Sequence, residues 1–79
     1  MSPTVFRYKE YRFFFFSREE SRIHVHVSCA DGEAKFWLEP VIALANHYHL
    51  NLRQIREIQT IIKNHENEIK RAWQKHFKS

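Results

Sequence analysis

The amino-acid sequence predicts an α+β domain, in which a small antiparallel sheet of four to five strands carries a long C-terminal helix packed on it. Apolar and polar residues alternate strictly from Ile23 to Ser28, which is the period of a half-buried strand. Asp31-Gly32 follows, a dipeptide typical of hairpin turns. From Asn51 onward, apolar residues recur every three or four positions, as on an amphipathic helix. We expect one domain over residues 1–79, with its sheet near 4–45 and its helical part near 51–78.

Runs of β-branched and aromatic residues divide the N-terminal half into strands. The first two strands are expected to form a hairpin around Lys9-Glu10. Phe13–Phe16 are expected to fill the core from alternate faces, with an exposed binding patch as the alternative. Val41–Ala45 has two interpretations, one more short strand or an irregular segment. Apart from this segment, the predicted strands are Thr4–Tyr8, Tyr11–Ser17, Ile23–Ser28 and Ala34–Leu38, of which the first two form the hairpin.

The helical part has a recognisable start and a weak point. Asn51 is a good N-cap, and Gln54 three residues later completes a capping-box pattern. The apolar stripe weakens at residues 64–67, which predicts a kink or a break there. The stripe itself consists of Leu52, Ile55, Ile58, Ile62, Ile69, Trp73 and Phe77.

The composition of the chain indicates in which cellular compartment the protein works and which class of partner it binds. With 79 residues the chain is near the lower size limit for a self-sufficient core, which favours a homo-oligomer or a partner chain. The net charge of +4 favours RNA, DNA or an acidic protein as partner. The single Cys29 excludes an intramolecular disulfide and fits a reducing compartment. The longest apolar runs are too short to span a bilayer, so we expect a cytoplasmic protein without a membrane partner.

One strand carries the most informative chemistry. Alternation places His24 and His26 on the same face of their strand, opposite its apolar residues. If the apolar face of the returning strand coincides, Lys35 and Trp37 share the histidine face, and Arg12 on the preceding strand lies nearby. A register slip of one residue would break this grouping.

Three interpretations of this grouping stay open. In the first, His24 and His26 act as general acid and base on a phosphodiester, Lys35 or Arg12 stabilises phosphoryl charge, and Trp37 stacks on a base. In the second, the two histidines hold a metal ion. Further ligands would then come from Glu33, Glu39, or His47 and His49, the last two expected in a loop. In the third, the histidines are structural. No Gly-rich phosphate loop or other cofactor motif is present, so no cofactor is predicted.

Four stretches taken together resemble the bacterial domain of unknown function 4160 family. They are residues 11–17 (YRFFFFS), 24–27 (HVHV), 33–41 (EAKFWLEPV) and 72–77 (AWQKHF). The resemblance implies a small single-domain protein, often encoded beside a second small protein in an arrangement like a toxin–antitoxin pair. It brings no established activity. Where many relatives have Pro-rich residues before the His-x-His strand, this chain has residues 18–22 (REESR).

We therefore expect one component of a two-gene, toxin–antitoxin-like module. It would bind a cognate small protein encoded nearby, and RNA or DNA, with the strand of His24 and His26 as its site. The alternatives are a non-enzymatic interaction or regulatory domain with structural histidines, and a metal-binding protein.

Overall fold

A computed structural model describes residues 4–16 and 21–77. Five strands form one antiparallel sheet in which every strand pairs with the next along the chain. Two helices follow the sheet, so the predicted α+β class is confirmed. The elements are β1 (Thr4–Tyr8), β2 (Tyr11–Phe14), β3 (His24–Ser28), β4 (Glu33–Trp37), β5 (Ala43–Tyr48), α1 (Leu52–Asn64) and α2 (Glu66–His76).

The core lies between one face of the sheet and the two helices. Val25 and Val27 of the central strand β3 are 0% and 1% exposed. They pair with Phe36 and Ala34 of β4, and Val27 also pairs with Phe13 of β2. The helices contribute Ile58, Ile61, Ile62, Ile69 and Trp73 to the same cluster. We call this face of the sheet the inner face and the opposite one the outer face.

The start of the helical part matches its prediction. The Asn51 side chain accepts a hydrogen bond from the Gln54 backbone N–H at 2.8 Å, and the Gln54 side chain accepts one from the Asn51 N–H at 2.9 Å. These bonds satisfy two donors that an uncapped helix would leave unpaired. Gln54 also donates to the Asp31 carboxylate at 2.9 Å, which ties the β3–β4 loop to the first turn of α1.

The helical part breaks at His65, inside the predicted weak stretch. The His65 ring donates from Nδ1 to the Ile61 carbonyl at 2.8 Å, and its backbone N–H bonds the Ile61 and Ile62 carbonyls.

Two details of the predicted apolar stripe on the helical part were wrong or missing. Leu52 is 60% exposed, and Ile61, which the stripe omitted, is buried.

Several element boundaries differ from prediction: β3 begins at His24, and β4 spans Glu33–Trp37. β2 ends at Phe14, and Ser17 lies outside the described residues. The last strand is Ala43–Tyr48, later than the alternative Val41–Ala45, so the sheet extends beyond residue 45. His47 is therefore a strand residue, which corrects its expected place in a loop. α2 ends at His76, and Lys78 also lies outside the described residues.

Gly32 is required by a close approach rather than by a turn angle. The β3–β4 loop runs from Cys29 to Gly32, closed by a hydrogen bond of 2.9 Å from the Cys29 N–H to the Gly32 carbonyl. Gly32 has no positive φ. A Cβ at this position would collide with the backbone carbonyl oxygen of Tyr48 on β5, an atom that cannot rotate away.

Glu57 joins the first hairpin to α1. Its carboxylate accepts hydrogen bonds from the Lys9 ammonium and the Tyr11 hydroxyl, both at 2.8 Å. The bond from Lys9, followed by the bond from Tyr11, lowers the pKa of Glu57. Burial, followed by the bond to the carboxylate, raises the pKa of Tyr11. Lys9 adopts a left-handed conformation (φ 56°) in the two-residue turn, from which its side chain reaches the helix.

Neither helix of the described chain combines the length and the apolar character needed to cross a bilayer.

Gly32→Ala is expected to destabilise the protein by about 1–3 kcal/mol, because the added methyl overpacks a rigid backbone contact. Urea unfolding followed by circular dichroism measures the change. Ala30→Ser in the same loop is the control, since Ala30 is exposed and its replacement meets no such contact. Equal unfolding midpoints for the two variants would contradict this role of Gly32.

The Glu57 contacts are expected to make stability depend on pH. A lowered folded-state pKa contributes stability above the unfolded pKa of about 4.3, and this contribution disappears as pH falls through the folded value. The urea midpoint of Glu57→Gln should therefore lie below that of the wild type at pH 7, with a smaller difference at pH 3. Glu68→Gln, at an exposed carboxylate of α2, serves as control. A difference of the same size at both pH values would disprove the link to ionisation.

Candidate functional site

The predicted site residues lie together on the outer face. Register pairs His24 with Trp37, and His26 with Lys35, across β3 and β4. Arg12 belongs to the same face on β2, where it pairs with Ser28. The structure thus brings these residues to one face of the sheet, because the apolar faces of β3 and β4 coincide.

Two cations lie over the Trp37 ring. The Arg22 guanidinium carbon is 4.1 Å from the ring centroid, and the Lys35 ammonium is 4.4 Å from it. Arg22 is held in place by donating from Nε to the Glu39 carbonyl at 2.7 Å. Both distances lie within the range of attractive cation–π contacts. Trp37 is thus a partly buried indole with two positive charges over its ring, and Arg22 joins the site although its sequence position predicted only a loop.

A second aromatic group adjoins on the β2 side. The His26 ring lies 5.6 Å from the Phe14 ring and 4.3 Å from the Phe16 ring. The Arg12 guanidinium lies over Phe14 at 4.5 Å. Phe14 is 8% exposed, whereas Phe16 is 44% exposed. We call Phe14, Phe16, His26 and Trp37 the aromatic platform.

Phe16 was missed as a site residue because the four-Phe run was interpreted as core. Alternation sends Phe13 and Phe15 to the inner face, where they are 0% and 1% exposed. Phe14 and Phe16 face outward, toward His26. The sequence did contain an indication: counting in steps of two from Arg12 places Phe14 and Phe16 on the same face as Arg12.

His24 differs from His26 in exposure, although alternation places both on the same face. Its side chain is 0% exposed. The ring lies 5.0 Å from Trp73 of α2, 5.4 Å from Trp37 and 5.2 Å from His26. Nδ1 is 2.7 Å from the Arg22 carbonyl, and since a carbonyl only accepts, Nδ1 carries the proton. Trp73, which sequence reasoning assigned to core packing alone, covers the start of β3.

This burial bears on the acid–base interpretation. A general acid or base must come within hydrogen-bond reach of the substrate. As folded, His24 presents no surface to a molecule outside, and only His26 of the pair is partly exposed. The geometry therefore favours a structural role for His24 and a surface role for His26.

The other histidine pair does not complete a metal site. His47 pairs with Ala34 and lies on the inner side of β5, opposite the side of His26. His49 follows the strand with a left-handed backbone (φ 61°). Within residues 4–16 and 21–77, no three His, Cys, Asp or Glu side chains cluster in a way that could hold a metal ion.

Two surface clefts lie away from the outer face. One, of about 440 Å³, lies between the β1–β2 side and α2, with Phe15, Ala72, Lys75 and His76 among its lining residues. The other, of about 500 Å³, is lined by residues of the β4–β5 connection and of the helices near their break. Neither is lined by a residue of the predicted site.

Comparison with known proteins identifies the family. Neither the curated proteins nor the solved structures gave a significant match. The model of one family, described as Domain of unknown function (DUF4160), matches residues 11–74, from the first residue of β2 almost to the end of α2. Because the match covers most of the chain and includes β2–β5 and both histidines of β3, the chain belongs to the DUF4160 family.

Proposed function

We propose that this protein binds single-stranded nucleic acid, preferentially RNA, on the outer face of its sheet. It would do so as one component of a two-gene, toxin–antitoxin-like module. The observation that carries the proposal is the aromatic platform with cations directly over its rings. Trp37 lies under Arg22 and Lys35, and Phe14 lies under Arg12.

The chemistry of the platform suits unpaired bases. Single strands bind where aromatic rings stack on bases and nearby cations follow the phosphates. A sheet face is flat enough to present several rings at once, and it leaves base edges accessible for hydrogen bonds. Phe16 is 44% exposed and offers ring surface directly. Trp37 is partly exposed and carries the guanidinium of Arg22, itself an exposed residue, over its ring. The net charge of +4 adds a general attraction for polyanions.

Binding is favoured over cleavage. Metal-independent hydrolysis of RNA would need two proton-transfer groups at the scissile phosphate. His24 is buried between Trp37 and Trp73, which leaves His26 as the one platform histidine with exposed surface. His24 then packs edge-on against Trp37, its cross-strand neighbour, rather than acting on a substrate.

The cognate protein of the module is a further part of the proposal. The family resemblance suggests a small protein encoded nearby as partner. The outer face would bind RNA while the helices contact the partner. A complex of the two proteins should therefore still bind RNA if the partner avoids the platform.

Removing a ring from the platform is expected to weaken RNA binding. Each stacked base contributes about 1–3 kcal/mol by alanine substitution, so Phe16→Ala and Trp37→Ala should each raise Kd by about five- to 150-fold. Fluorescence anisotropy with a labelled single-stranded 12-mer provides the measurement. Tyr8→Ala is the matched control, because Tyr8 is 42% exposed, close to the 44% of Phe16, but lies on β1. Equal losses in all three variants, or none, would contradict the assignment to the outer face.

Removing the exposed cation should change the salt dependence of binding. Arg22→Gln is expected to reduce the slope of log K against log salt by about 0.7 if Arg22 neutralises one phosphate of a single strand. An unchanged slope with a changed Kd would mean that Arg22 acts only by positioning Trp37. An unchanged slope and an unchanged Kd would remove Arg22 from the site.

Growth on induction tests the module. The gene would be induced alone and together with its neighbour, with wild-type, Phe16→Ala and Tyr8→Ala versions compared. We expect a growth difference between the two inductions that Phe16→Ala abolishes and Tyr8→Ala preserves. His24→Ala is less informative here, because it also removes a fully buried ring from the packed structure. No growth effect and no complex with the neighbour would favour an independent binding domain.

A further inference from the structure

The edge strand β5 has neither the charged residues nor the proline that commonly prevent edge strands from pairing with another chain. In the described sheet β5 is terminal, so one side of its backbone is open for hydrogen bonding. Its sequence, ALANHY, contains no Lys, Arg, Asp, Glu or Pro. Charged residues and proline are the common devices that protect an edge. The opposite edge, β1, carries Arg7.

β5 also leaves apolar surface exposed. Leu44 is 39% exposed and Tyr48 is 60% exposed. Val41, just before the strand, is 66% exposed. A strand added beside β5 would cover part of this surface and supply the missing backbone hydrogen bonds, as in recognition by β-augmentation.

The faces of β5 are compatible with pairing to itself. The pairing with β4 shifts register between Asn46 and Leu44, which leaves Ala45 as an extra residue. As a result, Leu44 and His47 lie on the inner face, opposite Phe36 and Ala34. Ala43 and Tyr48 lie on the outer face, opposite Trp37 and Glu33.

Consider a second copy whose β5 runs antiparallel to the first, with Ala45 facing Asn46. Leu44 then faces His47 of the other copy, both on the inner face. Ala43 faces Tyr48, a small residue beside a large one, both on the outer face. In a regular strand, Leu44 and His47 would lie on opposite faces, and this register would pair an inner residue with an outer one. The extra residue at Ala45 puts Leu44 and His47 on the same face, so inner residues pair with inner residues.

We propose that two copies of this chain associate through β5 in this register, joining their sheets into one. A second copy is favoured as occupant because the strand is uncharged. Two chains of net charge +4 repel each other, and β5 is a stretch where no like charges would face one another. Pairing about a twofold axis uses the same patch on both subunits.

The dimer would place both outer faces on the same side, because its twofold axis is perpendicular to the joined sheets. Two aromatic platforms would then be available to one nucleic-acid strand. That consequence rests on the proposed function, whereas the dimer itself does not.

Sedimentation equilibrium of the full chain over a wide concentration range tests the proposal without any nucleic acid. We expect a reversible dimer for the wild type. Leu44→Glu replaces the apolar side chain that faces His47 of the other copy by a carboxylate that must lose water, twice per dimer, and should raise the dimer Kd at least about tenfold. His47→Lys alone should also weaken the dimer. The double variant should recover affinity, because opposite charges then face each other at both symmetry-related positions.

Tyr8→Glu is the control at the other edge, since Tyr8 has a similar exposure to Leu44 and lies on β1. Circular dichroism confirms that each variant is folded. A wild type that stays monomeric at all concentrations overturns the proposal. A dimer unaffected by Leu44→Glu, or a double variant no better than the single ones, overturns the register. A monomer that forms a one-to-one complex with the neighbouring gene product, lost in Leu44→Glu, assigns the edge to that partner instead.

Discussion

The burial of Val25 and Val27 under the helices is the constraint on which the site depends. Full burial of a valine side chain contributes about 1.5–3 kcal/mol relative to exposure. A slip of β3 by one residue would expose both valines and turn His26 into the core. The core therefore fixes the register of the central strand. That register places His26, Lys35 and Trp37 together on the outer face. Packing on the inner face therefore determines which residues the outer face presents.

Contacts from outside the sheet then determine which side chains of the outer face are exposed. Trp73 of α2 reaches the ring of His24, and Arg22, just before β3, lies over Trp37. These contacts divide the two histidines, which alternation makes equivalent, into one buried and one partly exposed ring. They also convert Trp37 from a strand residue into the centre of a cation–aromatic cluster. The proposed binding surface thus depends on α2 and on the β2–β3 connection as well as on strand pairing.

The sequence predicted what depends on local chemistry. Alternation in β3 and β4 gave the grouping of His24, His26, Lys35 and Trp37, and the residues Asn51 and Gln54 gave the start of α1. Features that depend on distant contacts were missed. Nothing near His24 in sequence indicates that Trp73 covers it, and nothing near Gly32 indicates that the Tyr48 carbonyl approaches it. The end of β5 was misplaced because its residues are weakly apolar and mostly exposed, so they carry little periodic signal.

The two tryptophans provide the most direct test of the central claim, that the outer face binds single-stranded nucleic acid. Trp37 lies on the aromatic platform and Trp73 lies in the core, 6% exposed. A ¹H–¹⁵N correlation spectrum resolves their two indole N–H signals, which can be followed during titration with a single-stranded RNA oligomer. The account predicts a progressive, saturable shift of the Trp37 signal with little change in that of Trp73. An unchanged Trp37 signal at RNA concentrations that saturate binding would contradict it.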